Sequence, residues 1–92
     1  MRAVRGDVCL RALHGGEELS LEGVPGDLVT LLAVGGDVDG VRTHRLRYPL
    51  AHETLAFGAA RGLSNLVVSA GASVTCDRGV LLVIETRAGG IP

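Results

Sequence analysis

The apolar residues of this chain fall into short blocks punctuated by glycine and proline. The uninterrupted stretches run 7–14, 17–22, 27–34, 41–48, 50–57, 63–70, 72–78 and 80–88, and none exceeds nine residues. A helix of ordinary length would have to enclose a glycine or proline, each costly in its interior. Segments of this size with turn residues between them suit a sandwich or barrel. The pattern therefore predicts an all-β fold, a jelly-roll-like β-sandwich of about eight short, mainly antiparallel strands.

Within the blocks, Val8, Leu10 and Ala12 alternate against Cys9, Arg11 and Leu13, as on a strand with two unlike faces. Val41, Thr43, Arg45 and Arg47 alternate poorly, which predicts an edge or a partly exposed strand. Leu28 to Val34 and Val80 to Ile84 are almost continuously apolar. Such runs fit strands covered on both faces, and a domain this small has few of those, so a subunit or domain interface is expected there. Reversals are expected at Pro25-Gly26, Gly35-Gly36-Asp37, Asp39-Gly40 and Asp77-Arg78-Gly79, where glycine supplies the positive φ of tight turns.

Composition narrows the reading. Ninety-two residues make a single domain, residues 1–92, with one modest core. That core must come from Val, Leu and Ala, because the chain holds one tyrosine, one phenylalanine and no tryptophan. The net charge is −1, with the arginines scattered among ten acids, so no basic stripe is available for a phosphate backbone and nucleic acid is not an expected partner. Cys9 and Cys76 sit in apolar segments and are expected to be reduced core thiols. No apolar run approaches the roughly 20 residues of a membrane helix, and no signal-peptide pattern is present, so the expected compartment is the cytoplasm.

Candidate chemistry is sparse. Ser64 or Ser69 with His14, His44 or His52 lacks the local context of a hydrolase nucleophile, and the histidines and cysteines lack zinc-ligand spacing. Asp37-Val38-Asp39-Gly40 lacks the remaining ligands of a calcium loop and reads better as a hairpin turn. Gly58-Ala59-Ala60-Arg61-Gly62 lacks the ending of a phosphate-binding P-loop and reads better as a wide turn with a solvated arginine. Tyr48-Pro49 is more informative, since proline holds the residue before it extended and fixes its ring at a strand end. Ligand wall and core packing beside a turn are equally open readings of that tyrosine.

The order of residues adds more than their composition. Gly40-Val41-x-Thr43, Leu46-x-Tyr48-Pro49-Leu50, Thr54-Leu55-x-Phe57-Gly58, Gly62-x-Ser64-Asn65 and Gly79 to Ile84 form a collinear set. It resembles the C-terminal, thiamin-binding domain of bacterial thiamin pyrophosphokinases, most strongly over residues 38–86. The resemblance implies a homodimeric, magnesium-dependent parent enzyme that transfers pyrophosphate from ATP to thiamin, giving thiamin diphosphate and AMP. It implies that Mg2+ and ATP belong to an N-terminal α/β catalytic domain absent from this chain, and that this chain alone is inactive. It places Tyr48 against the thiamin pyrimidine and makes Ser64 and Asn65 polar contacts near it. Aromatic walls and amide or hydroxyl groups suit such a ring. Phe57 is expected to pack beneath the loop as core. Arg45 stands where the family usually has glycine, and Leu66 where an acidic residue is common. The alternative is a stand-alone β-sandwich module that oligomerises or binds another small heterocycle.

Overall fold

The computed structural model describes residues 2–5, 8–57 and 63–87. Their elements, in chain order, are β1 (Arg2–Arg5), β2 (Val8–His14), β3 (Glu18–Ser20), β4 (Leu28–His44), β5 (Glu53–Leu55), β6 (Leu63–Leu66), β7 (Ser73–Thr75) and β8 (Arg78–Thr86). Every pairing is antiparallel. The strand order is β1-β2-β8-β4-β7-β3, with β5 and β6 also pairing to β4. The result is the expected all-β sandwich, nearly closed and barrel-like, organised around β4, which pairs with β5, β6, β7 and β8.

That strand is where the structure departs from the block pattern. β4 runs for 17 residues, straight through the glycines that were expected to end it. Gly35 and Gly40 do adopt left-handed backbone angles, φ 77° and 68°. They use them to bulge the strand and not to reverse it. Against β8 the register runs Val34 to Val80 and then Asp39 to Arg78, so five steps along β4 match two along β8. Against β5 it shifts again between Val38 and Val41. Bulges of this kind bend a strand and increase its twist. The first half of β4 accordingly pairs with β8 and β6, and the second half, Arg42 to His44, pairs with β7. Asp37 to Gly40 is thus part of a bulged strand and not a hairpin. The turn at Pro25-Gly26 forms as expected: the Asp27 amide donates to the Val24 carbonyl at 3.0 Å, with Gly26 at φ 96°. The segment Asp77-Arg78-Gly79 marks the join from β7 to β8.

Alternation sorts the two apolar runs into faces. Val29 and Leu31 of β4 and Leu81 and Val83 of β8 are fully buried, and Leu13 of β2 joins them. Val38, Val41 and Val74 close the core from the other leaf. Val41 and Thr43 point inward while Arg42 and His44 stay exposed, so the poorly alternating stretch is a half-buried strand. The opposite face of β2-β8-β4 is also apolar. Register aligns Leu10 with Ile84, Ala12 with Leu82 and Leu32, and His14 with Val80 and Val34. Leu10, Ala12, Leu32, Val80, Leu82 and Ile84 are half-buried, His14 is exposed, and Leu28 and Val34 reach 38% and 37% exposure. The runs are therefore apolar on both faces, and among the described residues the inner face is buried while the outer face stays partly exposed.

One polar cluster fastens the inner face. Glu85, 7% exposed, accepts hydrogen bonds from the backbone amides of Glu22 and Gly23 at 3.0 Å and pairs with Arg11 at 2.5 Å. The Arg11 guanidinium also donates to the Ser20 carbonyl at 2.9 Å. A buried carboxylate without such partners would cost several kcal/mol. The cluster ties β2 and β8 to the chain leaving β3. Cys9 and Cys76 are both free thiols, and Cys76 is buried. Burial, with the charges of Asp77 and Glu17 nearby, pushes the Cys76 thiol above its ordinary value of 9.0. Among the described residues, no helix is long and apolar enough to cross a membrane.

Candidate functional site

The region around Tyr48 is a loop pinched at its base. The Thr43 amide donates to the Leu50 carbonyl at 3.0 Å, and the Leu50 amide donates to the Thr43 hydroxyl oxygen at 2.9 Å. Between these points the chain leaves β4 through Arg45, whose φ of 64° lies in the left-handed region. Glycine reaches that region without steric cost, whereas a residue with a Cβ is strained there. Arginine compensates through its side chain, which donates to the Ala70 carbonyl at 2.8 Å.

The loop then lies antiparallel to the end of β6. Val68 donates its amide to the Arg45 carbonyl, Leu46 bridges Val67, and Arg47 donates its amide to the Leu66 carbonyl. Extending this register places Tyr48 opposite Asn65. Here the side chain of Asn65 takes over the pairing. Its Oδ1 accepts the Tyr48 amide at 2.9 Å, and its Nδ2 donates to the Tyr48 carbonyl at 2.6 Å. The same Oδ1 accepts the Leu66 amide at 3.0 Å, and Asn65 as a whole is 2% exposed. A primary amide has the donor and acceptor of a peptide group, so it completes a rung that the backbone does not reach.

The Tyr48 ring is left outward, 58% exposed, with the Arg47 guanidinium 5.7 Å from its centroid. Tyr48 therefore sits in a loop just past a bridge and does not pack in the core. Of the sequence-derived residues, the structure brings Tyr48 and Asn65 into direct contact. Ser64 is adjacent on β6, its backbone opposite Thr30, while the role expected of its side chain lies outside the described residues. Residues 58–62, with Arg61, also lie outside them.

Phe57 corrects an expectation. It is 58% exposed, not core. β5 ends at Leu55, which takes the inward place at 7% exposure, and beyond it the chain is held by its backbone: the Phe57 amide donates to Asp37 Oδ1 at 2.9 Å. Two further ties hold this arm to the sandwich. The Thr54 hydroxyl donates to Asp39 Oδ1 at 3.2 Å, and His52 Nε2 lies 2.9 Å from Asp77 Oδ2. Asp77 also pairs with Arg42. Arg47 and Asp77 were not singled out from sequence, because their contacts depend on a register that residue spacing does not reveal. Among the described residues, no group of three His, Cys, Asp or Glu side chains is placed to hold a metal ion.

Comparison with solved structures shows the same fold. The Bacillus subtilis thiamine pyrophosphokinase matches with TM-score 0.82 and 16% identity over 94% of this chain and 40% of its own. The Geobacillus thermodenitrificans thiamin pyrophosphokinase matches with TM-score 0.79 and 17% identity over 98% and 42%. A thiamin pyrophosphokinase family protein from Enterococcus faecalis gives TM-score 0.70 and 17% identity. The chain thus spans about two fifths of these proteins. Comparison with curated protein sequences gives no match. The model of the thiamin pyrophosphokinase vitamin B1 binding domain matches residues 17–81, and with that match over most of its length the chain belongs to that family.

Proposed function

We propose that this chain is the thiamin-binding and dimerising part of a thiamin pyrophosphokinase, an enzyme that transfers pyrophosphate from ATP to thiamin and releases AMP. The observation that carries this reading is an exposed aromatic ring whose backbone is fixed on both sides, within a family-matched domain. A ring so placed offers a flat wall to a pyrimidine without first having to be ordered, which lowers the cost of binding. Asn65, which holds the Tyr48 backbone, follows Ser64 on β6. Magnesium and ATP are assigned to an α/β domain outside this chain, and no step of the transfer is assigned to a residue here.

The outer apolar face of β2-β8-β4, partly exposed among the described residues, supports the dimer. Sheet faces of this composition are normally covered, and contiguous exposed apolar surface marks an interaction site. A second copy of the domain presenting the same face would bury both.

Thiamin titration of the chain, followed through the fluorescence of its single tyrosine and by NMR, tests the ligand. Saturable quenching with shifts confined to Tyr48 and its neighbours is expected, at weak affinity because the rest of the pocket lies on another domain. Absence of any thiamin response, with dimerisation retained, would favour a stand-alone oligomerising module. Sedimentation of Leu82→Glu tests the face: a dimer is expected for the parent chain and a monomer for the variant.

A further inference from the structure

We infer that Asn65 is the positioning residue for Tyr48, serving the thiamin site through the tyrosine backbone and not by touching the ligand. This rests on the thiamin reading above. Three facts carry it. Both ends of the Asn65 amide are engaged inside the protein, Oδ1 by the Tyr48 and Leu66 amides and Nδ2 by the Tyr48 carbonyl. The residue is 2% exposed while Tyr48 is 58% exposed, so the buried member holds and the exposed member presents. Asn65 is itself fixed, because its backbone pairs with Val29 in the fully buried part of β4. Tyr48 is thereby referenced to the core, although it stands in a loop.

Only an amide supplies donor and acceptor at this spacing. Aspartate has the same shape and keeps the acceptor, but it sets a carboxylate oxygen against the Tyr48 carbonyl. Both Oδ1 lone pairs and one Nδ2 hydrogen are taken by Tyr48 and Leu66, and at 2% exposure the residue offers a ligand little more than its second Nδ2 hydrogen.

The test uses the 92-residue chain with Asn65→Asp, and Val83→Ala as a variant that loosens the buried core on β8 without touching the amide or the Tyr48 loop. Tyr48 is the chain's one tyrosine and tryptophan is absent, so the near-ultraviolet tyrosine circular dichroism and the fluorescence anisotropy report this ring almost alone. Asn65→Asp is expected to collapse the tyrosine band, lower the anisotropy and weaken thiamin about tenfold, while Val83→Ala leaves all three near the parent values. An unchanged band with unchanged thiamin affinity would overturn the inference, as would a collapsed band with affinity within twofold of the parent. A parent chain that ignores thiamin but whose band collapses in Asn65→Asp would sink the thiamin reading and retain the clamp. Should Asn65→Asp fail to fold, NMR on the parent chain decides: a scalar coupling across the Asn65 Nδ2 to Tyr48 carbonyl bond and slowed exchange of that amide are expected, and fast exchange without coupling would overturn the clamp.

Discussion

The slab formed by β2, β8 and the first half of β4 and the arm from Arg45 to Phe57 are held by different means. In the slab, unbroken backbone ladders combine with fully buried valine and leucine, and the Glu85 cluster closes one end. In the arm, short side chains capture backbone groups or one another one at a time: Asn65 on Tyr48, Thr43 on Leu50, Asp37 on Phe57, Asp39 on Thr54 and Asp77 on His52. Burial is roughly additive in area and carries stability, while a single tether contributes about 0.5–1.5 kcal/mol and mainly selects a conformation. The fold can thus keep its stability in one region and present the Tyr48 ring, the proposed binding residue, from another.

The sharpest way to break this division is at Glu85. Glu85→Ala leaves Arg11 as a buried cation and two backbone amides without their acceptor, and is expected to cost about 3–5 kcal/mol in urea denaturation. The tyrosine spectrum of the folded variant is expected to match the parent. A changed spectrum would mean that slab and arm are coupled.

Gly40 lies at the junction. A Cβ there would run into the Asp77 carboxylate, and the φ of 68° adds strain. Gly40→Ala is expected to lower stability by about 2 kcal/mol and to shift the NMR signals of His52 as Asp77 moves. A stability loss with His52 unmoved would show that the arm does not depend on Asp77.

The Cys76 thiol, in the join between β7 and β8, gives a pH test of the core. Its raised folded-state value means that the unfolded chain loses the proton first. Stability is therefore full below about pH 9 and falls as pH rises through the folded-state value, by at most about 1.4 kcal/mol per pH unit. Cys76→Ala is expected to remove that alkaline slope, seen as a smaller dependence of the urea midpoint on pH. An unchanged slope would assign the decline to other groups.

The smallest effect on stability is expected at the exposed ring. Tyr48→Ala should change folding by no more than about 0.5 kcal/mol. It should nevertheless weaken thiamin by the stacking contribution of about 0.5–1.5 kcal/mol beyond area burial, read by NMR titration. Equal thiamin affinity in the variant would remove Tyr48 from the site.

Glycine spacing and β-branched composition were enough to read the all-β class, and the continuous apolar runs at 28–34 and 80–84 were legible as strands with two apolar faces. Collinear motifs pointed to the family and to Tyr48, Ser64 and Asn65. Spacing misread Gly35 and Gly40, because a glycine with positive φ serves a bulge as well as a reversal, and only the partner strand decides between them. The expectation that Phe57 packs as core failed for another reason, since hydrophobicity says nothing of where a strand stops. The sequence by itself determined which segments extend and which residues seek burial, because those depend on local backbone preference and side-chain transfer from water. Tertiary structure alone decided that β4 would continue through its glycines, that Arg45 would occupy a left-handed turn, and that the Asn65 amide would meet the Tyr48 backbone. Those outcomes depend on long-range register, set when distant strands pair and their inward faces align over one core.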